Sequence, residues 1–180
     1  MKQVFVFGVF VALSLSLGQI RADTGTVFVQ GTASGSLGGS PFMDVQIVFT
    51  GTYDTGDITE TDRGQSRRWT APIYATIDVP GIGQAEIQEG QVSSFSQNDP
   101  AHSPPSTLGM FFPYFFVEGG DARYDLNYDL TYTFGPVRLG FEPPPSIGWP
   151  SYGVGTSAGP LVITGQDFYD WTFYVEVVPE

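Results

Sequence analysis

Apolar and polar residues alternate along several segments of this chain, which is the pattern of a half-buried β-strand. In segment 124–134, the six apolar positions Tyr124, Leu126, Tyr128, Leu130, Tyr132 and Phe134 alternate with aspartate, asparagine and threonine. The same rule predicts three more strands, with apolar faces made of Val45, Ile47, Phe49 and Tyr53; of Ala71, Ile73, Ala75, Ile77 and Val79; and of Trp171, Phe173, Val175 and Val177. Further strands are predicted at 26–30, 84–95, 110–117 and 160–164, and no segment shows a capped helical period.

About eight half-buried strands need a partner for each apolar face, and two antiparallel sheets packed face to face provide it. We therefore expect an all-β, jelly-roll-like β-sandwich that occupies residues 23–177 as a single domain, with a closed barrel as the alternative. The 23 glycines and 14 prolines agree with many turns. Longer irregular segments are expected at 96–107 and 142–157.

The first 22 residues have the pattern of a signal peptide. Lys2 precedes an almost unbroken apolar run from residue 4 to 17, and Ala22 supplies a small residue at the expected cleavage site. The run is too short for a typical membrane span. We expect an exported protein, whose export machinery removes residues 1–22 and whose mature chain contains no other membrane span.

Without the signal peptide, five arginines remain against 19 acidic residues, which gives a net charge of about −14. Such a surface repels nucleic acid and anionic lipid, so we expect neither as a partner. Cations, neutral glycans and basic proteins remain as partners, although the charge also serves simply to keep an extracellular domain soluble.

The sequence predicts no catalytic residues. There is no cysteine, which excludes disulfides and thiolate chemistry. The triplets that begin at Asp23 and Asp54 both read Asp-Thr-Gly, as in aspartic proteases, but only about thirty residues separate them and the second is an ordinary turn sequence. His102 is the only histidine and lies in a proline-flanked segment, where a solvent-facing loop explains it best.

No cofactor or metal site is predicted, with calcium kept as a possibility. Two acidic clusters are candidates for calcium binding: Asp54, Asp57, Glu60 and Asp62; and Glu118, Asp121 and Asp125. Solvated turns explain both clusters equally well. Asp125 and Asp129 would lie about 13 Å apart on one strand, which is too far for a glycosidase pair.

The proline-rich segment 143–153 gives the best candidate for ligand binding. Its stiffness would present Trp149 and Tyr152 as a platform for a sugar or a peptide, although a lid over the end of the sandwich would use the same residues.

Trp69 is expected in the core or at its rim. The segment 111–116 is expected to be a strand apolar on both faces, with Pro113 at an edge or bulge and a sticky assembly edge as the functional alternative.

The chain also resembles a known class of proteins. Residues 31–42 (GTASGSLGGSPF) and 45–55 (VQIVFTGTYDT), together with Val178, Pro179 and Glu180 at the end, are similar to secreted bacterial β-sandwich proteins of the PEP-CTERM class. Residues 75–83, 128–130, 135–137 and 156–161 add to the resemblance. In that class, Val-Pro-Glu opens a C-terminal sorting cassette that continues with proline, an apolar span and basic residues. Either the cassette continues beyond Glu180, or the protein is secreted without it.

The resemblance implies export from a Gram-negative-type cell, processing by sorting machinery, and a place on the outer surface or in the extracellular polysaccharide matrix. We therefore expect a non-enzymatic surface or matrix protein that acts by display and binding, with extracellular polysaccharide or surface proteins as partners. A carbohydrate-binding or carbohydrate-active domain is the alternative.

Overall fold

A computed structural model describes residues 23–62, 66–97, 106–112, 115–120, 128–138, 147–148, 153–166 and 170–179. These residues form eleven β-strands and one short 3-10 turn at Thr55–Asp57. The strands are β1 (Thr24–Leu37), β2 (Ser40–Asp54), β3 (Thr59–Asp62), β4 (Ser66–Val79), β5 (Gly83–Gln97), β6 (Ser106–Phe112), β7 (Phe115–Gly120), β8 (Phe134–Arg138), β9 (Ile147–Gly148), β10 (Leu161–Gln166) and β11 (Thr172–Val178). Within this part of the chain, no helix is long and apolar enough to cross a membrane.

All strand pairs are antiparallel and belong to one continuous sheet in the order β8-β11-β1-β2-β4-β5-β6-β7-β9. β10 lies beside the second half of β1, and β3 lies beside the first half of β4. The predicted all-β antiparallel fold is therefore confirmed. Its division into two packed sheets is not confirmed, because the pairing runs from strand to strand without a break.

The sheet curls around its own apolar face. Gly51 of β2 shows this: a Cβ atom there would lie 2.9 Å from the side chain of Met110 on β6 and 2.9 Å from that of Ile73 on β4. β6 is three places from β2 in the sheet, so Met110 can reach Gly51 only across the interior. The register shift between Ile73 and Ala75 marks a β-bulge, which is a usual device for bending a strand.

Hydrogen bonds also close one end of the sheet into a ring. Thr156 forms a bridge with Ile87 of β5, and the backbone N–H of Ser157 donates to the carbonyl of Glu86 at 2.9 Å. A second bridge joins Val154 to Leu161 of β10, which pairs with β1. The circuit β10-β1-β2-β4-β5 thus returns to its start, and this end resembles the barrel alternative.

The alternating pattern correctly predicts the inward faces of β2, β4 and β11. Ile47, Phe49 and Tyr53 are buried on β2, whereas Val45 is half-buried. All five predicted residues of β4 are buried, as are Trp171, just before β11, and Phe173 and Val175 within it, whereas Val177 is half-buried. Trp69 is also buried, as expected for a residue of the core. Because apolar burial is the main favourable contribution to folding, these faces hold the sheet together.

Two predictions about strands are wrong. Segment 111–116 is not one strand, because Phe112 of β6 pairs with Phe115 of β7 and the chain reverses between them. Residues 128–133 of the predicted strand 124–134 are not part of a strand either, and residues 124–127 lie outside the described residues. The Asp129 carboxylate accepts from the backbone N–H of Thr131 at 3.1 Å, and Leu130 adopts a φ of 71°, so the chain turns there. β8 begins only at Phe134.

Candidate functional site

Several of the candidates for chemistry serve local structure. The two Asp-Thr-Gly triplets lie side by side, because Thr24 of β1 pairs with Asp54 of β2. The backbone N–H of Asp23 donates to the Thr55 hydroxyl at 3.0 Å, and the Asp54 carboxylate accepts from the N–H of Gly56 at 2.7 Å. The second triplet is therefore an ordinary turn, as predicted, and both triplets belong to one pair of neighbouring strands.

Two residues of the first acidic cluster, Glu60 and Asp62, lie beside a cation of the protein itself. Arg67 lies 3.7 Å from the Glu60 carboxylate and 3.6 Å from that of Asp62, and all three side chains are about half exposed. The described residues contain no group of three or more potential metal ligands. The other cluster lies largely outside the described residues, at Asp121 and Asp125, and His102 lies outside them too.

Trp149 and Tyr152, the predicted binding residues, lie outside the described residues. Of the predicted sorting motif, Val178 ends β11 opposite Thr24 and is 54% exposed, while Pro179 follows as an exposed residue. Glu180 lies outside the described residues. The described part of the motif is therefore at the surface, beside the start of β1.

A buried group of tyrosines holds the turn at 128–133 against the core. The Tyr53 hydroxyl donates to the carbonyl of Leu130 at 2.7 Å, and the Tyr128 hydroxyl donates to the carbonyl of Tyr132 at 3.1 Å. The Tyr128 ring stacks on Phe134, with centroids 4.4 Å apart. Burial raises the pKa of Tyr53 and of Tyr128 well above the ordinary value, so both hydroxyls stay protonated and act as structural donors.

The most distinctive surface lies on the outer face of β11, β1, β2 and β4. We call it the outer platform and define it by the outward-facing residues Tyr174, Thr26, Phe28, Thr50, Thr52 and Tyr74. The strand register brings them together: Phe28 is opposite both Tyr174 and Thr50, while Thr52 is opposite both Thr26 and Tyr74. The platform is therefore a contiguous patch across four neighbouring strands.

The distinguishing feature of the outer platform is its exposed and partly exposed aromatic rings. Tyr74 is 86% exposed, the largest exposed fraction among the large apolar side chains that the structure describes. The rings of Phe28 and Tyr174 stack at 5.4 Å with an interplanar angle of 17°, and both remain partly exposed. From strand spacings of about 4.8 Å and 3.3 Å per residue, the Cα atoms of Phe28 and Tyr74 lie about 12 Å apart.

Tyr74 also occupies an irregular position in the sheet. Ile73 pairs with Gly90 and Ala75 pairs with Ile87, so Tyr74 alone faces two residues of β5. Such a β-bulge changes the direction of a side chain and is frequent near functional sites. This surface was not predicted from the sequence, because the outward faces of the strands were expected only to be wet. The signal was there: Phe28, Tyr74 and Tyr174 are aromatic residues at the polar positions of alternating strands.

Comparisons with known proteins yield no relative. No family model matches the chain, and neither does any curated protein or solved structure.

Proposed function

We propose that this chain is an exported protein that acts at the outer cell surface or in the extracellular matrix by display and binding rather than by catalysis. The supporting observation is the position of the two ends of the domain. Thr24 at the start of β1 pairs with Val178 at the end of β11. A signal peptide before residue 23 and a sorting segment after residue 178 would therefore leave from one end of the sheet.

This arrangement suits display because it places the opposite end of β1 far from the point of attachment. β1 has 14 residues, so its other end is about 45 Å away at a rise of about 3.3 Å per residue. At that end, Gly38 and Gly39 turn the chain into β2, both with positive φ. In a protein held at the surface through its paired ends, the hairpin and the sides of the sheet would face outward.

The roles of the acidic side chains agree with a binding protein. Asp54 and Asp129 accept hydrogen bonds within their own turns, and Glu60 and Asp62 lie beside Arg67. A general acid or base needs instead a carboxylate that reaches a bound substrate. The carboxylates of Asp54 and Asp129 therefore have structural roles within their own turns.

The test is the location and the first residue of the mature protein. In the producing bacterium, fractionation with an antibody should find the protein outside the cytoplasm, and N-terminal sequencing should begin at Asp23. The control variant, Leu13→Arg with Leu15→Arg, interrupts the apolar run and should keep the protein inside with Met1 or Lys2 first. A wild-type chain that stays in the cytoplasm with an intact N-terminus would contradict the proposal.

A carbohydrate-binding domain is the second candidate. The observation that favours it is the outer platform, where an exposed tyrosine and a stacked aromatic pair flank threonine hydroxyls. Flat rings cover the apolar faces of sugars, and hydroxyls both donate to and accept from sugar hydroxyls.

A further inference from the structure

The outer platform contains more exposed aromatic surface than the fold requires. Tyr74 contributes little to the core, because 86% of it remains in water. Its neighbours at outward positions are small β-branched residues, Thr52 on β2 and Thr76 on β4, which suit a strand equally well. The ring of Tyr74 is therefore better explained by a binding partner than by folding.

The spacing of the rings indicates an extended partner. Tyr74 and the stacked pair of Phe28 and Tyr174 lie on opposite sides of Thr50 and Thr52 in the sheet. A ligand that touches both aromatic groups must span about 12 Å, as estimated from strand geometry. One small sugar cannot cover that distance and also fill the surface between the rings, whereas a chain of sugars can.

The charges around the outer platform argue against an anionic partner. On the same outer face, Asp54, Asp78, Glu86 and Glu176 are exposed and surround the six platform residues. Carboxylates accept hydrogen bonds from hydroxyl groups but repel anionic polymers. The net charge of −12 for the whole chain adds to this repulsion. A neutral polymer rich in hydroxyl groups fits both the carboxylates and the threonines.

We propose that the outer platform binds an uncharged polysaccharide that lies across β11, β1, β2 and β4. Sugar rings stack on Tyr74 and on the exposed side of the Phe28 and Tyr174 pair, and the threonines between them bond to sugar hydroxyls. A rigid sheet holds these groups in place before binding, which lowers the cost of ordering them. This inference rests on the proposed function, since an exported protein meets such polymers outside the cell.

The experiment is affinity electrophoresis of residues 23–180 in native gels that contain hydroxyethylcellulose, mixed-linkage β-glucan, galactomannan or dextran, with alginate as the anionic polymer. We expect retardation by at least one uncharged polymer and none by alginate. Tyr74→Ala should weaken that retardation at least tenfold, whereas Tyr74→Phe should keep most of it because the ring remains. Thr52→Val should weaken binding several-fold, since it removes a hydroxyl and keeps the shape.

Met43→Ala is the matched control. Met43 is 77% exposed and lies on β2, about 20 Å from Thr50 along the strand, so its loss removes apolar surface outside the outer platform. It should bind like the wild type, and all variants should keep the wild-type melting temperature within about 2 °C, because the substituted side chains are at the surface.

Three results would overturn the inference. Retention that Tyr74→Ala leaves unchanged would place binding elsewhere, and a wild-type domain that no uncharged polymer retards would exclude this class of ligand. Stronger retardation by alginate than by the neutral polymers would also contradict it. None of these results alters where the protein is found or its first residue, so failure of the proposed function is recognised separately.

Discussion

Replacing Tyr53 with phenylalanine tests how the turn at 128–133 is attached to the core. Tyr53 is 4% exposed, and its hydroxyl donates to the carbonyl of Leu130 at 2.7 Å. Phenylalanine keeps the ring and removes only this donor. A buried polar group that loses its partner destabilises a protein by about 1–3 kcal/mol. We expect Tyr53→Phe to lower the free energy of unfolding by an amount in this range.

The measurement is urea denaturation of residues 23–180, followed by tryptophan fluorescence. In a domain of this size, each 1 kcal/mol corresponds to about 2–4 °C in melting temperature. The dependence of the unfolding free energy on urea should stay unchanged, because the substitution exposes no additional surface. The matched control is Tyr74→Phe, the same change at a side chain that is 86% exposed, which should alter stability by less than about 0.5 kcal/mol.

Equal stability of Tyr53→Phe and Tyr74→Phe would refute the reasoning. It would mean that the hydrogen bond from Tyr53 to Leu130 adds nothing beyond what solvent provides. The turn would then be held by ring packing alone, such as the stacking of Tyr128 on Phe134.

Two other predictions concern the core. The pKa values of Tyr53 and Tyr128 are raised in the folded state, so both side chains favour folding below the ordinary tyrosine pKa of about 10, and this contribution is lost as the pH rises above it. Thermal melts from pH 8 to 11.5 should show stability falling above about pH 10, with a shallower fall in Tyr53→Phe; a flat profile would contradict this. Gly31→Ala would place a methyl group against the buried ring of Trp171 and should destabilise by about 1–3 kcal/mol in the same urea assay, whereas Gly155→Ala, with no atom within 4 Å of the new methyl group, should be near neutral. Equal effects of the two glycine substitutions would contradict the packing at Gly31.

The sequence predicts the inward faces of this fold well because burial and strand geometry act on the same residues. Ile73, Ala75 and Ile77 alternate with polar or exposed positions, and each is buried. Side chains on a strand point to opposite faces in turn, so a period of two leaves few alternatives. The curl of the sheet is not predicted, because it depends on bulges such as the one beside Tyr74.

The same pattern fails where the chain turns without losing alternation. Tyr128 and Leu130 are both buried, as in a strand, although Leu130 has a positive φ that leucine rarely adopts. The hydrogen bond from Asp129 to Thr131 stabilises that turn, and Tyr53, which is 77 positions from Leu130, holds it in place. Contacts so distant in sequence are not visible in a local pattern.

The outer platform was overlooked for a related reason. Sequence patterns assign an aromatic residue to the core, so one at a polar position looks like a defect in the alternation. The register shows instead that Phe28, Tyr74 and Tyr174 share one outward surface. To recognise this surface, one must know which strands are neighbours, and the order of the strands depends on the topology of the whole sheet.

Stability and binding should therefore be separable on the two faces of this sheet. On the inner face, Tyr53 combines a buried ring with a donated hydrogen bond, so its hydroxyl matters to folding. On the outer face, the ring of Tyr74 is exposed to water. Burying an aromatic side chain contributes about 1.5–3 kcal/mol of favourable free energy. Only a bound partner can bury the ring and so gain this free energy. Loss of the Tyr74 ring should accordingly weaken binding without affecting folding, and loss of the Tyr53 hydroxyl should do the reverse.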